Sequence, residues 1–212
     1  MHYFQRTLFL FLLSATTFAQ ELPPTKPTSD AAKMMASQAS RAYAQGQFVA
    51  AEKEYQRALA IAPHNSEYLS HLAVTELHLN KPKEAEQLLR QSLQEQLENP
   101  FAWLHLGMIY LDQHRNEEAF AALIQAALYD PKNARVQDYL GIAAGRKHWN
   151  EVSEACLRKA VELDPNYADA QFNLAVYYLQ RNPPATEIAR RHYQRALDLG
   201  APHDATMDAA LK

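Results

Sequence analysis

The chain repeats itself. The stretch from Pro100 to Pro131 reads PFAWLHLGMIYLDQHRNEEAFAALIQAALYDP, and a sequence of the same design returns in steps of 34 residues. Trp103, Leu106, Gly107 and Tyr110 fall on one side of a first helix, and Ala119, Leu123 and Ala126 line a second. Asp130 and Pro131 close the unit. A fixed period of this size means stacked supersecondary units, each of which buries its apolar side only against its neighbours. It also turns the question of function toward binding surfaces and away from reaction centres.

Five units fit the frame: residues 32–65, 66–99, 100–133, 134–167 and 168–203. The eighth residue is always small (Ala39, Ala73, Gly107, Gly141, Ala175), which lets the two helices of a unit approach closely. The twentieth, facing it, is small as well: Ala51, Ala85, Ala119, Ser153 and Ala189. Small residues return at the twenty-seventh place, Ala58, Ser92, Ala126, Ala160 and Ala196, where one unit meets the next. Large residues at the twenty-fourth place, Tyr55, Leu89, Leu123, Leu157 and Tyr193, fill the space between helices. Pro63, Pro131 and Pro165 cannot continue a helix and mark the turns between units.

These positions resemble the tetratricopeptide repeat family over essentially the whole chain after residue 31. The resemblance implies an all-α fold: a right-handed α-solenoid of five helix-turn-helix repeats in residues 32–203. Residues 204–212 (DATMDAALK) are expected to form a short capping helix. Asp204 is the cap residue there, and Met207, Ala210 and Leu211 cover the last unit. Four departures stand out. Leu97 replaces a turn proline, which predicts a longer or still helical link. Glu76 takes the place of Tyr110 and Tyr178, so it is partly exposed or paired. The string RNPPATE adds two residues inside the fifth unit, with Pro183 and Pro184 breaking one helix and Pro184 or Thr186 opening the next. Gln38 stands where leucine is usual, as suits an end unit facing water.

The N-terminus has a different character. MHYFQR is followed by the apolar run TLFLFLLSATTFA, ending in small residues Thr17 and Ala19. The run is shorter than the ~20 residues a membrane-spanning helix needs. Residues 1–19 are therefore read as a secretory signal peptide, with an uncleaved anchor as the alternative. No cysteine near the cut supports a lipid-modified end. Residues 20–31, rich in proline and polar groups, are read as an extended spacer. Cleavage removes one basic residue, Arg6, and takes the net charge from −3 to −4. Without a cluster of Lys and Arg, nucleic acid is not an expected partner. After cleavage no membrane span is expected. The single cysteine, Cys156, excludes an intramolecular disulfide, so the exported chain relies on its core.

In the family the first helices line a concave face, at the second, fifth, ninth, twelfth and thirteenth residues of each unit. The resemblance thus implies a groove built from Val74, Leu77, Phe101, Leu104, Met108, Leu111, Ile142, Phe172, Val176 and Leu179, with His105 among them and Tyr43 and Tyr139 alongside. The family's polar variant of this groove clamps a C-terminal carboxylate with Lys, Asn and Arg. Here those places hold Ala36, Ser40, His71, Phe101 and His105, and that clamp is absent. Contiguous exposed apolar surface marks an interaction site. The expected occupant is an apolar peptide or an amphipathic helix. Mutual covering of these side chains in a tight superhelix is the competing reading.

Chemistry is weakly represented. His71 and His105 occupy equivalent places in adjacent units, ~10 Å apart at helix-packing spacing, too far to share a zinc ion. Cys156 reads as a small buried apolar residue. Trp149 either packs under its turn or offers a contact. Arg190, Arg191 and His192 read as a solvated face. No nucleophile elbow, phosphate loop or metal-ligand helix motif occurs, so no enzyme activity, cofactor or metal is expected. The leading expectation is a periplasmic or secreted scaffold, in pilus, secretion or envelope assembly by analogy of fold. The alternative is a homo-oligomer, a homodimer in the simplest case, built through the groove or the C-terminal cap.

Overall fold

The computed structural model describes residues 29–211. The expected signal peptide and most of the expected spacer lie outside that range. Among the described residues there is no strand, and eleven helices follow one another as antiparallel neighbours. They are α1 (Ser29–Ala44), α2 (Phe48–Ile61), α3 (Ser66–His78), α4 (Pro82–Glu95), α5 (Pro100–Asp112), α6 (Asn116–Tyr129), α7 (Ala134–Arg146), α8 (Asn150–Leu163), α9 (Ala168–Gln180), α10 (Thr186–Asp198) and α11 (Ala205–Ala210). Five pairs, α1 with α2 through α9 with α10, form a solenoid, and α11 closes its end.

Local chemistry sets the boundaries. Asn65, Asn99 and Asn133 each precede a first helix, and their side-chain oxygens accept from the backbone N–H of Tyr68, Ala102 and Val136 at 2.9, 3.1 and 3.3 Å. These bonds satisfy donors that a helix start leaves unpaired. Within a pair the chain reverses in three residues, and the middle one adopts positive φ: Gly46 at 72°, Asn80 at 60°, His114 at 59° and His148 at 59°. Only the first is glycine. In the last pair the link is longer, residues 181–185, and α10 begins at Thr186. The α4–α5 link, residues 96–99, is as short as the other links between pairs. Its missing proline is compensated by Trp103, whose Nε1 donates to the carbonyl of Leu97 at 2.8 Å.

Close helix approach is visible at the small positions. A Cβ on Gly107 would lie 2.5 Å from Leu123 Cγ, and one on Gly141 would lie 2.7 Å from Leu157 Cγ. Glu76 is buried and paired: its Oε2 lies 3.0 Å from the Lys81 ammonium, an ion contact short of hydrogen-bond geometry, and Lys81 also donates to Glu52 at 2.6 Å. The apolar core forms three clusters along the solenoid. A central one is contributed by α3 to α7, a first by α1 to α3, and a last by α8 to α11. In the last, Met207 and Leu211 are buried and Ala210 is exposed. Asp204 caps α11 through Met207 N at 2.9 Å.

Candidate partner-binding groove

The first helices of the first three pairs, with the start of α7, enclose a groove of about 810 Å³. Its apolar floor is Val74, Leu77, Phe101, Met108 and Ile109. Its polar rim includes Ser40, Asn80, Asp112, Gln113 and Arg135. The floor carries a ladder of rings. Tyr55 stacks on His71 with centroids 5.9 Å apart, His71 meets Phe101 at 5.1 Å, and Phe101 meets His105 at 4.2 Å. Phe101 thus stands between the two histidines. Tyr43 and His78 also line the groove: the Tyr43 hydroxyl bonds His78 Nε2 at 2.7 Å, and Phe48 stacks on His78 at 4.4 Å.

Burial sets the charge of this surface. His105 is 4% exposed, and desolvation pulls its pKa down to about 4 although its bond to the Phe101 carbonyl opposes the shift. Nδ1 faces that carbonyl at 2.8 Å, so the neutral ring carries its proton there and keeps a lone pair on Nε2. Burial lowers His71 too, with Glu67 opposing. At neutral pH both rings are uncharged. Burial likewise raises the phenols of Tyr43 and Tyr55, the latter bonded to Ser40 at 3.0 Å. Arg135 is the cation at the groove, lying 3.6 Å from the Met108 sulfur and 5.8 Å from the Tyr139 ring centroid.

The structure divides the residues expected in the groove. Val74, Leu77, Phe101, His105 and Met108 line it. Leu104 and Leu111 do not: they are 4% and 2% exposed and belong to the central core. The reason is the position of α5, which is packed by α6 beside it and by α3, α4 and α7 around it, leaving only a narrow strip of its surface open. Tyr139 and Ile142 are half-buried against the central cluster, and Ile142, Phe172, Val176 and Leu179 pack on the last cluster. Tyr55 lines the groove although it comes from a second helix, because its ring is long enough to pass between α1 and α3. Arg135 was not singled out from the sequence. It is the second residue of its unit, a place the groove frame already marks.

One turn after Arg135, α7 carries an unusual acid. Asp138 is 1% exposed, and both its oxygens lie 3.0 Å from the Asn173 amide. Burial pushes its pKa up to about 6, against the hydrogen bond from Asn173. Apolar exposure also occurs on the opposite side of the solenoid, where Ile124, Leu128, Val152 and Trp149 are exposed. Trp149 both packs and protrudes: its ring meets Phe120 edge-on at 4.7 Å, with the Lys147 ammonium 4.7 Å from its centroid. Cys156 is half-buried on the central cluster, and burial raises its thiol pKa. No helix among the described residues is long and apolar enough to cross a membrane.

Family models described as tetratricopeptide repeat match residues 42–100, 81–141 and 156–198, together more than half of the chain. The chain is similar in structure to PilF of Pseudomonas aeruginosa, at 21% identity and a TM-score of 0.73, covering 82% of this chain and 79% of that one. It is similar to TTC0263, a tetratricopeptide repeat protein of Thermus thermophilus, at 22% identity and a TM-score of 0.67, over 85% and 96% of the two chains. It is also similar to YrrB, described as a tetratricopeptide repeat protein with an unusual peptide-binding site, at 18% identity and a TM-score of 0.63, over 82% and 89%. No match was found among curated proteins.

Proposed function

Because the chain belongs to the tetratricopeptide repeat family, an architecture that serves as a scaffold for protein–protein interaction, we propose that it is an exported adaptor holding an apolar peptide or amphipathic helix in its concave groove. The observation that carries this reading is the groove itself. Its floor joins Val74, Leu77 and Met108, all half-buried, to a ladder of uncharged rings, and the apolar area they still expose stabilises a complex when a partner covers it. The peptide-binding site in the description of YrrB supports a peptide occupant. The apolar N-terminal run supports export, and the likeness to PilF agrees with a role in pilus, secretion or envelope assembly.

A photo-crosslinking residue at position 108, compared with one at position 128 on the opposite side, tests the site. Adducts formed in the native compartment at 108 and lost on Val74→Asp support the groove. Adducts at 128 alone would remove it. N-terminal sequencing of the natural product tests export, with Gln20 the expected first residue and Met1 the result against it.

Self-association is a second reading, favoured by exposed Ile124, Leu128 and Val152. Sedimentation of the purified chain tests it: a monomer removes this reading, and a dimer broken by Leu128→Glu supports it while leaving the groove to the crosslinking test.

A further inference from the structure

The groove is apolar along its floor and carries one guanidinium at its edge, so its electrostatics restrict what fits. Arg135 makes no salt bridge with any described residue, and its guanidinium lies instead against the Met108 sulfur and the Tyr139 ring. Two acids bear on its surroundings. Asp138 is buried and bonded to Asn173, and Asp112 lines the groove at the end of α5. Neither reaches ion-pair distance.

An apolar segment that covered Met108 would cover this guanidinium too. Removing an unpaired cation from water is costly unless the ligand supplies an anion. Asp112 acts in the opposite sense, because a second acidic side chain on the ligand would meet a like charge in the same groove. Resting on the groove reading above, we infer that the segment bound there is an apolar peptide with a single acidic side chain, whose carboxylate pairs with Arg135. Arg135 then fixes the register of the peptide, while the floor supplies most of the affinity.

A displayed library of random peptides, selected on the purified full chain, tests this. Peptides that depend on the groove are recognised by loss of binding to the Met108→Asp protein. The expected winners combine large apolar residues with one Glu or Asp. A synthetic winner should bind at least about fivefold more weakly when its acid is changed to Gln, and should show the same loss on Arg135→Gln. The two changes together should cost little more than either alone. Selection on the Arg135→Glu protein should replace the acid by Lys or Arg. Circular dichroism should show unchanged helicity, because Arg135 is exposed. Groove-dependent winners without acidic preference would overturn the pairing and leave the groove reading intact. Winners that ignore Met108→Asp would overturn both.

Discussion

Replacing Asp138 by Asn should remove a pH dependence of stability. In the folded chain the carboxyl is 1% exposed and its pKa is about 6, against an ordinary value of 3.8. The first cause is burial, partly offset by the Asn173 hydrogen bond, with Asp169 raising the value and Arg135 and Tyr167 lowering it. A raised carboxyl means that the folded chain holds the proton more tightly than the unfolded one. The ionised form therefore costs stability above pH 6, and the cost is relieved as pH falls toward 4. The full difference is about 3 kcal/mol. Between pH 7.5 and pH 5 the folded wild type should gain about 1.4 kcal/mol from this group. Other groups are shifted as well: burial raises Glu76 and lowers His71, His105 and His192. Subtracting the Asp138→Asn curve from the wild-type curve cancels them. Urea denaturation followed by circular dichroism at several pH values gives both curves. The variant should be the more stable at pH 7.5, with the advantage shrinking as pH falls. A difference that stays constant from pH 7.5 to pH 5 would refute the argument, because Asp138 would then behave as a solvated acid.

Three further outcomes follow from packing and backbone geometry. Gly107→Ala should lose about 2 kcal/mol in urea denaturation, since the new Cβ would fall 2.5 Å from Leu123 Cγ inside the α5–α6 pair. His114→Gly and His148→Gly should each raise stability by up to about 1 kcal/mol, because a side chain at positive φ is strained and the gain is reduced by glycine's greater freedom when unfolded. Leu104→Asp should abolish cooperative melting, with a loss of about 4 kcal/mol or more, while Met108→Asp should melt within about 1 kcal/mol of wild type.

Much of the fold was legible because its determinants are local and recur. Small residues at the eighth and twentieth places, a large one at the twenty-fourth and a proline between pairs each act locally. The groove was less legible because its lining depends on how far the units rotate against each other. The places assigned to Leu104 and Leu111 follow from the family's frame, yet the neighbours of α5 close over both. Tyr55 shows the converse: its place in the unit marks a filler between helices, and only the assembled structure shows its ring reaching the groove. The Leu97 link has the same origin. Its length is held by a bond from Trp103, a contact that turn composition does not reveal.

The three-part core has a consequence for cooperativity. Leu88 packs on both the first and the central cluster, and Ile142 on both the central and the last. The groove draws Tyr55 from the first cluster and Met108 from residues packed on the central one. A ligand held there bridges two regions whose direct apolar connection is thin. Its binding energy should appear as slowed hydrogen exchange in α1 and α2, which contribute few groove residues, more than in α5, which is already enclosed. Occupancy would be read at the end of the solenoid, as the suppression of fraying in its first turn-linked pair.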